Sequence, residues 1–216
     1  MLNVGVLVSG GGTNLQALID KIESGYIKNA RISIVISSNP EAFALERARR
    51  HGIETAVVNR KSYETLESFE TEIIRILQAY KIDLVVMGGF NYILDVNFPD
   101  VYAGKVINVH PALMPSFSGK GFYKLVPQIK ALEYGVKVTG ATVHFVERDC
   151  DAGPIILQKA IPVLDDDTPE TLQKRVMEEC EWVLLPEAVK LISEGRVKVQ
   201  GRKVTILTGN EKGETE

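Results

Sequence analysis

The first half of the chain alternates two hydrophobic textures. Residues 3–8 (Asn-Val-Gly-Val-Leu-Val) form a short, almost continuous apolar run, the pattern of a strand buried on both faces. Ser9-Gly10-Gly11-Gly12 interrupts it, and beyond Thr13 the positions Leu15, Leu18, Ile19 and Ile22 recur at helical spacing. Thr13 and Gln16 stand at the separation of a capping box, and Gly25 is placed to stop the helix. The alternation then repeats. A β-rich run over 31–36 ends at Ser37-Ser38-Asn39-Pro40, a helix over 41–51 closes at Gly52, and a short strand follows at 54–58. Residues 62–80 predict a long helix with Phe69, Ile73, Ile76, Leu77 and Tyr80 on one face, and 83–87 and 105–109 read as two more buried strands. Strands alternating with helices predict an α/β fold, a mostly parallel twisted sheet flanked by helices with right-handed crossovers.

After residue 135 the pattern changes. Residues 136–146 and 155–163 are two longer β segments on either side of the Asp149–Pro154 loop. A helix over 168–194 starts at a capping Thr168 and contains Pro186, which predicts a kink or a split there. Residues 197–207 form a β pair around Gly201, and the polar stretch 208–216 is expected to be a flexible tail. At roughly 150 residues per domain, and with no repeat or linker in view, residues 1–207 are expected to form a single domain.

Composition narrows the functional classes. Apolar residues make up 45% and charged residues 25%, the balance of a globular chain, which excludes a disordered, collagen-like or coiled-coil protein. Net charge is −3 with no concentration of Lys and Arg, so no nucleic-acid partner is expected. Cys150 and Cys180 are too few for a disulfide framework or a zinc motif. No run approaches the ~20 apolar residues of a membrane span, and the N-terminus lacks the basic region of a signal peptide. A cytoplasmic protein without a membrane partner is the expectation.

Three constellations carry chemistry. Ser9-Gly10-Gly11-Gly12-Thr13-Asn14 joins a strand to a helix, where exposed amides attract an anion. No Gly-Lys-Ser/Thr follows it, Leu15 stands where a dinucleotide fingerprint needs its third glycine, and no acidic residue ends the second strand. A phosphate monoester fits better than a nucleoside triphosphate or a dinucleotide. Asn108-Val109-His110-Pro111 ends the fifth strand, where ligands bind in open α/β sheets, and residues two apart share a face. An amide donor beside an imidazole suits acyl chemistry. In Asp149-Cys150-Asp151-Ala152-Gly153-Pro154, a carboxylate approaching His110 would raise the histidine pKa. The same sequence also fits a solvated acidic turn. Other residues read more simply: His144 as a hydrogen-bonded structural histidine, His51 as a cation at a helix end, and Cys150 as a poor nucleophile between two acids. No compact spacing supports a metal site at His110, His144 and Asp151, so no metal is expected.

Four segments in order carry a resemblance: 6–19, Gly-Gly-Phe-Asn-Tyr-Ile-Leu at 88–94, Ile-Asn-Val-His-Pro-Ala-Leu-Met-Pro at 107–115, and 143–156. Together they resemble the phosphoribosylglycinamide formyltransferases, folate-dependent enzymes of purine synthesis. The resemblance implies a Rossmann-like formyltransferase fold and transfer of a formyl group from 10-formyltetrahydrofolate, as co-substrate, to the amine of glycinamide ribonucleotide. It places a catalytic Asn-His-Asp triad on Asn108, His110 and Asp151, with Asp149 set aside. It places ribonucleotide and phosphate binding on Gly12, Thr13, Asn14 and Glu181, with Glu178 and Glu179 as alternatives to Glu181. Folate contacts fall on Asn91, Tyr92, Ile93, Leu94, Asn108, Glu147, Arg148, Asp149, Cys150 and Asp151. The arginine that family members often place before the third helix is missing from Tyr63–Glu67, which leaves Arg60 or Lys61 to substitute; Ser-Gly-Lys-Gly-Phe-Tyr at 118–123 replaces a histidine-containing stretch. A monomer or homodimer is expected.

Formyltetrahydrofolate hydrolases and the transferases acting on initiator tRNA or nucleotide sugars share the triad. The hydrolases add an N-terminal domain and the tRNA enzymes a C-terminal one. Strand one begins at Asn3 and about twenty residues follow Gly195, so neither addition is expected here. A non-catalytic nucleotide-binding module would have no use for Asn108, His110 and Asp151 together.

Overall fold

The computed structural model of the chain describes residues 1–208, so the tail expected over 208–216 lies almost wholly outside the described residues. Strands β1 (Leu2–Val8), β2 (Ala30–Ser37), β3 (Thr55–Val57), β4 (Leu84–Met87) and β5 (Val106–His110) are parallel. They lie in the order β3-β2-β1-β4-β5, and β6 (Val138–Phe145) and β7 (Ile155–Pro162) extend the sheet antiparallel. The chain builds outward from β1 to β3, then returns to the other side of β1 to place β4. The β1/β4 boundary is therefore the point where strand order reverses and a crevice opens at the strands' carboxyl ends.

The continuous apolar runs follow from helices on both faces. Val4, Val6 and Val8 point into one cluster with Leu15, Leu18 and Ile19 of α1 (Thr13–Glu23) and Leu184, Leu185 and Ala188 of α7 (Trp182–Ser193). Leu7 points into the other cluster, with Phe69, Ile73 and Leu77 of α3 (Leu66–Ala79). On that face Gly5 lets α3 come close, because a Cβ there would sit 2.6 Å from Leu77 Cδ2. Buried aliphatic and aromatic side chains of this kind contribute roughly 1.5–3 kcal/mol each.

Several helices differ from the pattern-based expectation. Helix α3 begins at Leu66 rather than 62: Arg60–Ser62 is a short 3-10 turn, and Thr65 Oγ1 accepts from the Ser68 amide at 3.1 Å as the cap. The capping box expected at Thr13 and Gln16 is absent. Gly12 is the cap residue, in the left-handed region (φ 73°), and no side chain caps α1. Helix α2 (Phe43–Arg50) sits within its expected range. Two short helices were not expected, α4 (Phe98–Val101) and α5 (Val126–Tyr134). The first is too short to show a period. The second carries the punctuation of a helix, Pro127 in its first turn and a left-handed Gly135 at its end, on a weakly amphipathic sequence.

The expected helix over 168–194 is two helices, α6 (Pro169–Val176) and α7, joined by a π turn over Met177–Glu181. Pro186 lies inside α7, and the irregularity comes five residues before it. Thr168 caps α6 as expected, its hydroxyl accepting from the Thr171 amide at 3.2 Å. Strands β8 (Val197–Gln200) and β9 (Lys203–Ile206) form the expected hairpin. Among the described residues no helix is long and apolar enough to cross a membrane.

Close pairing of β6 with β7 depends on Gly140, where a Cβ would lie 1.9 Å from the Lys159 carbonyl oxygen. Gly140→Ala is expected to cost at least about 2 kcal/mol of stability. Gly10→Ala, which meets nothing within 4 Å, is expected to cost less than about 0.5 kcal/mol. Equilibrium urea denaturation measures both, and equal losses would contradict this packing.

Candidate active site

The crevice at the β1/β4 boundary continues past the end of β5 as a cavity of about 820 Å³. Its floor is the segment after β1. Ser9 Oγ is buried, lies 2.7 Å from Ser38 Oγ, and accepts from the Asn91 amide at 3.0 Å, so one hydroxyl ties together the ends of three strand-to-loop connections. Gly12 has to be glycine: its φ is 73°, and a Cβ would fall 2.6 Å from Ala44 Cβ. Arg47 Nε donates to the Gly11 carbonyl at 2.8 Å, closing the loop from outside. Among the described residues no carbonyl accepts from the amides of Thr13, Asn14 or Leu15, and the first turn of α1 has no acidic side chain. These free donors at the positive end of a helix suit an anion.

The π turn brings Glu181 to this floor. Its extra residue buries Cys180 and Glu181 side by side, and Lys159 Nζ donates to the Glu179 carbonyl at 2.6 Å. Asn14 Nδ2 donates to Glu181 Oε2 at 2.8 Å, while the buried Asn14 Oδ1 has no partner. Burial pushes the Glu181 carboxyl up to about 7, against the pull of the Asn14 amide. Glu178 and Glu179 are exposed and outside the cavity lining.

Asn108 and His110 project from the end of β5, and Asp151 comes from the loop after β6. Asp151 Oδ2 lies 3.4 Å from His110 Nδ1 and accepts from the Gly119 amide at 2.9 Å. Asp151 has φ 51°, a left-handed conformation that aspartate tolerates better than most residues. The loop turns sharply because Gly153 leaves room for the Phe145 carbonyl, 1.9 Å from where a Cβ would stand. Burial raises the Asp151 carboxyl, but the hydrogen bond to His144, the His110 charge and the Gly119 amide outweigh it and hold the group below the usual carboxylate value.

The expected rise in the His110 pKa is not found. Burial is the largest effect and pulls the imidazole below its ordinary value, over the opposing influence of Asp151 and of the Phe117 carbonyl, 2.8 Å from Nε2. The ring is 3% exposed, so desolvation of a charged imidazole outweighs one loosely placed carboxylate.

His144 belongs to the site, which residue-by-residue reading missed. The β5–β6 register sets it directly opposite Asn108, and its Nε2 lies 3.4 Å from Asn108 Nδ2 and 3.6 Å from Asp151 Oδ1. Its Nδ1 lies 2.8 Å from the Phe145 carbonyl. His110, His144 and Asp151 thus converge despite their sequence spacing, although among the described residues no group of three or more His, Cys, Asp or Glu side chains is arranged to hold a metal ion.

The remaining expected residues divide. Asn91, Tyr92, Ile93 and Leu94 line the cavity, with Leu94 also in the core, and so do Glu147 and Cys150. Burial first, then the neighbouring Asp151, pushes the Cys150 thiol up to about 11, which suits an inert thiol. Arg148 and Asp149 are not in the lining. Arg148 turns away to pair with Asp100 at 3.0 Å and to donate to the Asp95 carbonyl at 2.7 Å. Arg60 lies over the Phe69 ring and donates to the Tyr63 carbonyl, and Lys120, Lys124, Gln173 and Met177 join the wall. His51, expected as a cation at a helix end, caps α2 and lies 2.7 Å from Glu23.

The sequence profile of the formyl transferase family matches residues 2–189. The chain is 44% identical over 196 residues to the human trifunctional purine biosynthetic protein adenosine-3, covering 91% of this chain and 19% of that one. It therefore spans about a fifth of the length of those trifunctional relatives. It is 37% identical over 200 residues to a phosphoribosylglycinamide formyltransferase of Haemophilus influenzae, covering 93% of this chain and 91% of that one. A crystal structure of glycinamide ribonucleotide transformylase 1 from Symbiobacterium toebii superposes with a TM-score of 0.91 at 42% identity, covering 96% of this chain and 95% of that one.

Glu181 supplies a pH test. Its folded-state value of about 7 stands above the ordinary 4.5, so its contribution to stability is fully present below 4.5 and lost as pH rises through 7. Glu181→Gln removes this loss. Between pH 5 and pH 8 the variant should gain about 2–3 kcal/mol relative to the wild type, measured by urea denaturation at both pH values; a difference independent of pH would contradict the burial argument.

Proposed function

This chain belongs to the formyl transferase family, and we propose that it transfers the formyl group of 10-formyltetrahydrofolate to the amine of glycinamide ribonucleotide, giving N-formylglycinamide ribonucleotide and tetrahydrofolate in purine synthesis. One observation carries the reading: a single cavity joins an uncapped helix N-terminus, suited to a phosphate monoester, to an Asn-His-Asp cluster and then to a mixed aromatic and aliphatic loop. The ribonucleotide phosphate sits on the amides of Gly12, Thr13 and Asn14, with the ribose toward Glu181 and the unpartnered Asn14 Oδ1. The folate lies along Asn91–Leu94 and beside Glu147, Cys150 and Asp151. The enzyme is cytoplasmic, a monomer or homodimer, and uses neither a metal nor a nucleic-acid or membrane partner.

In the reaction the amine lone pair attacks the formyl carbon, forming the new C–N bond as the carbonyl electrons move onto oxygen. The Asn108 amide, now loosely shared with His144, and the His110 ring donate to that oxygen. Collapse re-forms the carbonyl and breaks the bond to the folate nitrogen. The amine gives up a proton and the folate nitrogen takes one. Held neutral by burial, His110 takes the proton the amine gives up, becoming an imidazolium that Asp151 beside Nδ1 stabilises while negative charge sits on the oxygen, and it returns a proton to the folate nitrogen as the intermediate collapses. Nε2 exchanges the Phe117 carbonyl for substrate during this step.

The test follows folate absorbance with 10-formyltetrahydrofolate or a deaza analogue, with and without glycinamide ribonucleotide. Release should require the ribonucleotide; equal release without it identifies a hydrolase and contradicts the reading. His110→Ala and Asp151→Asn should each lose at least about a hundredfold in turnover while still binding ribonucleotide. Asn108→Ala should raise the barrier by about 3–4 kcal/mol. Near-normal turnover in these variants would overturn the assigned roles.

A further inference from the structure

Glu70 is a fully buried carboxyl on α3 that the reaction does not use. Its Oε1 accepts from the Val96 amide at 3.1 Å, and its Oε2 accepts from the amides of Asn97 at 2.7 Å and Phe98 at 3.0 Å. Three amide donors converging on one buried carboxyl satisfy it and order the backbone that supplies them. They fix the far end of a loop whose near end is fixed by Ser9, through the Ser9 amide to the Gly89 carbonyl and the Asn91 amide to Ser9 Oγ. Between these anchors the chain arches over Asn91–Asp95, and Asn91 through Leu94 line the cavity. The neighbour of Glu70, Phe69, packs its ring 5.5 Å from that of Tyr92, so one turn of α3 supports the arch twice. Arg148 closes it from outside through the Asp95 carbonyl.

We infer that Glu70 is a positioning residue that sets the shape of the arch Asn91–Asp95 and thereby the affinity for the folate co-substrate. This rests on the proposed function, which assigns that arch to folate. The anion loop at Gly12–Asn14 and Glu181 are held by separate contacts, to Ala44, Arg47 and Lys159. Loss of Glu70 therefore acts on one substrate and spares the other. A purely structural role as cap of the four-residue α4 would lower stability and leave the two substrates equally affected.

Glu70→Gln keeps the volume but turns an amide group toward amide donors, so at least one of the three contacts is lost. Steady-state kinetics on the full chain should show KM for 10-formyltetrahydrofolate raised about tenfold or more, with KM for glycinamide ribonucleotide within about twofold. Hydrogen exchange should show lost protection at Val96, Asn97 and Phe98 with the centre of α3 unchanged. That readout also serves for Glu70→Ala if the variant is too unstable to assay. Glu67→Gln, exposed on the same helix, should match the wild type in both. Equal change in both KM values, or change in neither, would overturn the inference while the wild type still transfers formyl groups. A wild type that releases no folate would overturn the proposed function itself.

Discussion

The place of β1 in the middle of the five parallel strands is the constraint on which the rest depends. With β2 and β3 on one side and β4 and β5 on the other, the loops leaving β1 and β4 diverge and cannot cover the strand ends between them. The segments that chemistry needs all leave carboxyl ends along this opening: Ser9–Asn14 after β1, Gly88–Leu94 after β4, and Asn108–Pro111 at the end of β5. β6 runs antiparallel to β5, its register sets His144 opposite Asn108, and the loop after it turns back to bring Asp151 to His110.

Two carboxyl groups in this opening, one buried and one half-buried, have opposite electrostatic fates, and environment decides which. Asp151 has two imidazoles and a backbone amide around it and is held below the usual carboxylate value. Glu181 has one amide donor and is pushed up to about 7. Pairs of titratable groups driven apart in this way take different roles at neutral pH. In the proposed reaction Asp151 keeps its charge to steady an imidazolium. Glu181 holds or releases a proton beside the anion loop at modest cost. His110, the group between them in function, is kept neutral by burial more than it is charged by Asp151, so its protonation is coupled to charge that appears on the substrate.

The strands and the sheet were legible because runs such as Val4–Val8 and Leu84–Met87 are buried on both faces and carry their own period. Asn108 and His110 were legible from two-residue spacing at a strand end. What escaped reading depends on partners distant in sequence. His144 looked structural because only the β5–β6 register shows that it faces Asn108, and Arg148 looked like a ligand contact because nothing local reveals its pairing with Asp100. The capping box at Thr13 failed because Gly12, in the left-handed region against Ala44, leaves the first amides of α1 free. Pro186 drew attention away from the π turn, whose extra residue has no signature in composition. Glu70 carries no signal of its own in the sequence, because its partners lie in a loop 26 positions later, beginning at Val96.

The central claim is that the opening between β1, β4 and β5 brings the ribonucleotide amine and the folate formyl group together at Asn108 and His110. A crystal structure of the chain with glycinamide ribonucleotide and a non-transferring deazafolate tests it most directly. Phosphate oxygens should lie within hydrogen-bond reach of the Thr13 and Asn14 amides, with the folate ring along Asn91–Leu94. The amine and the folate nitrogen would then face each other within about 3–3.5 Å, beside Asn108 and His110. Phosphate bound elsewhere, or an amine held away from His110 with both ligands in place, would contradict it.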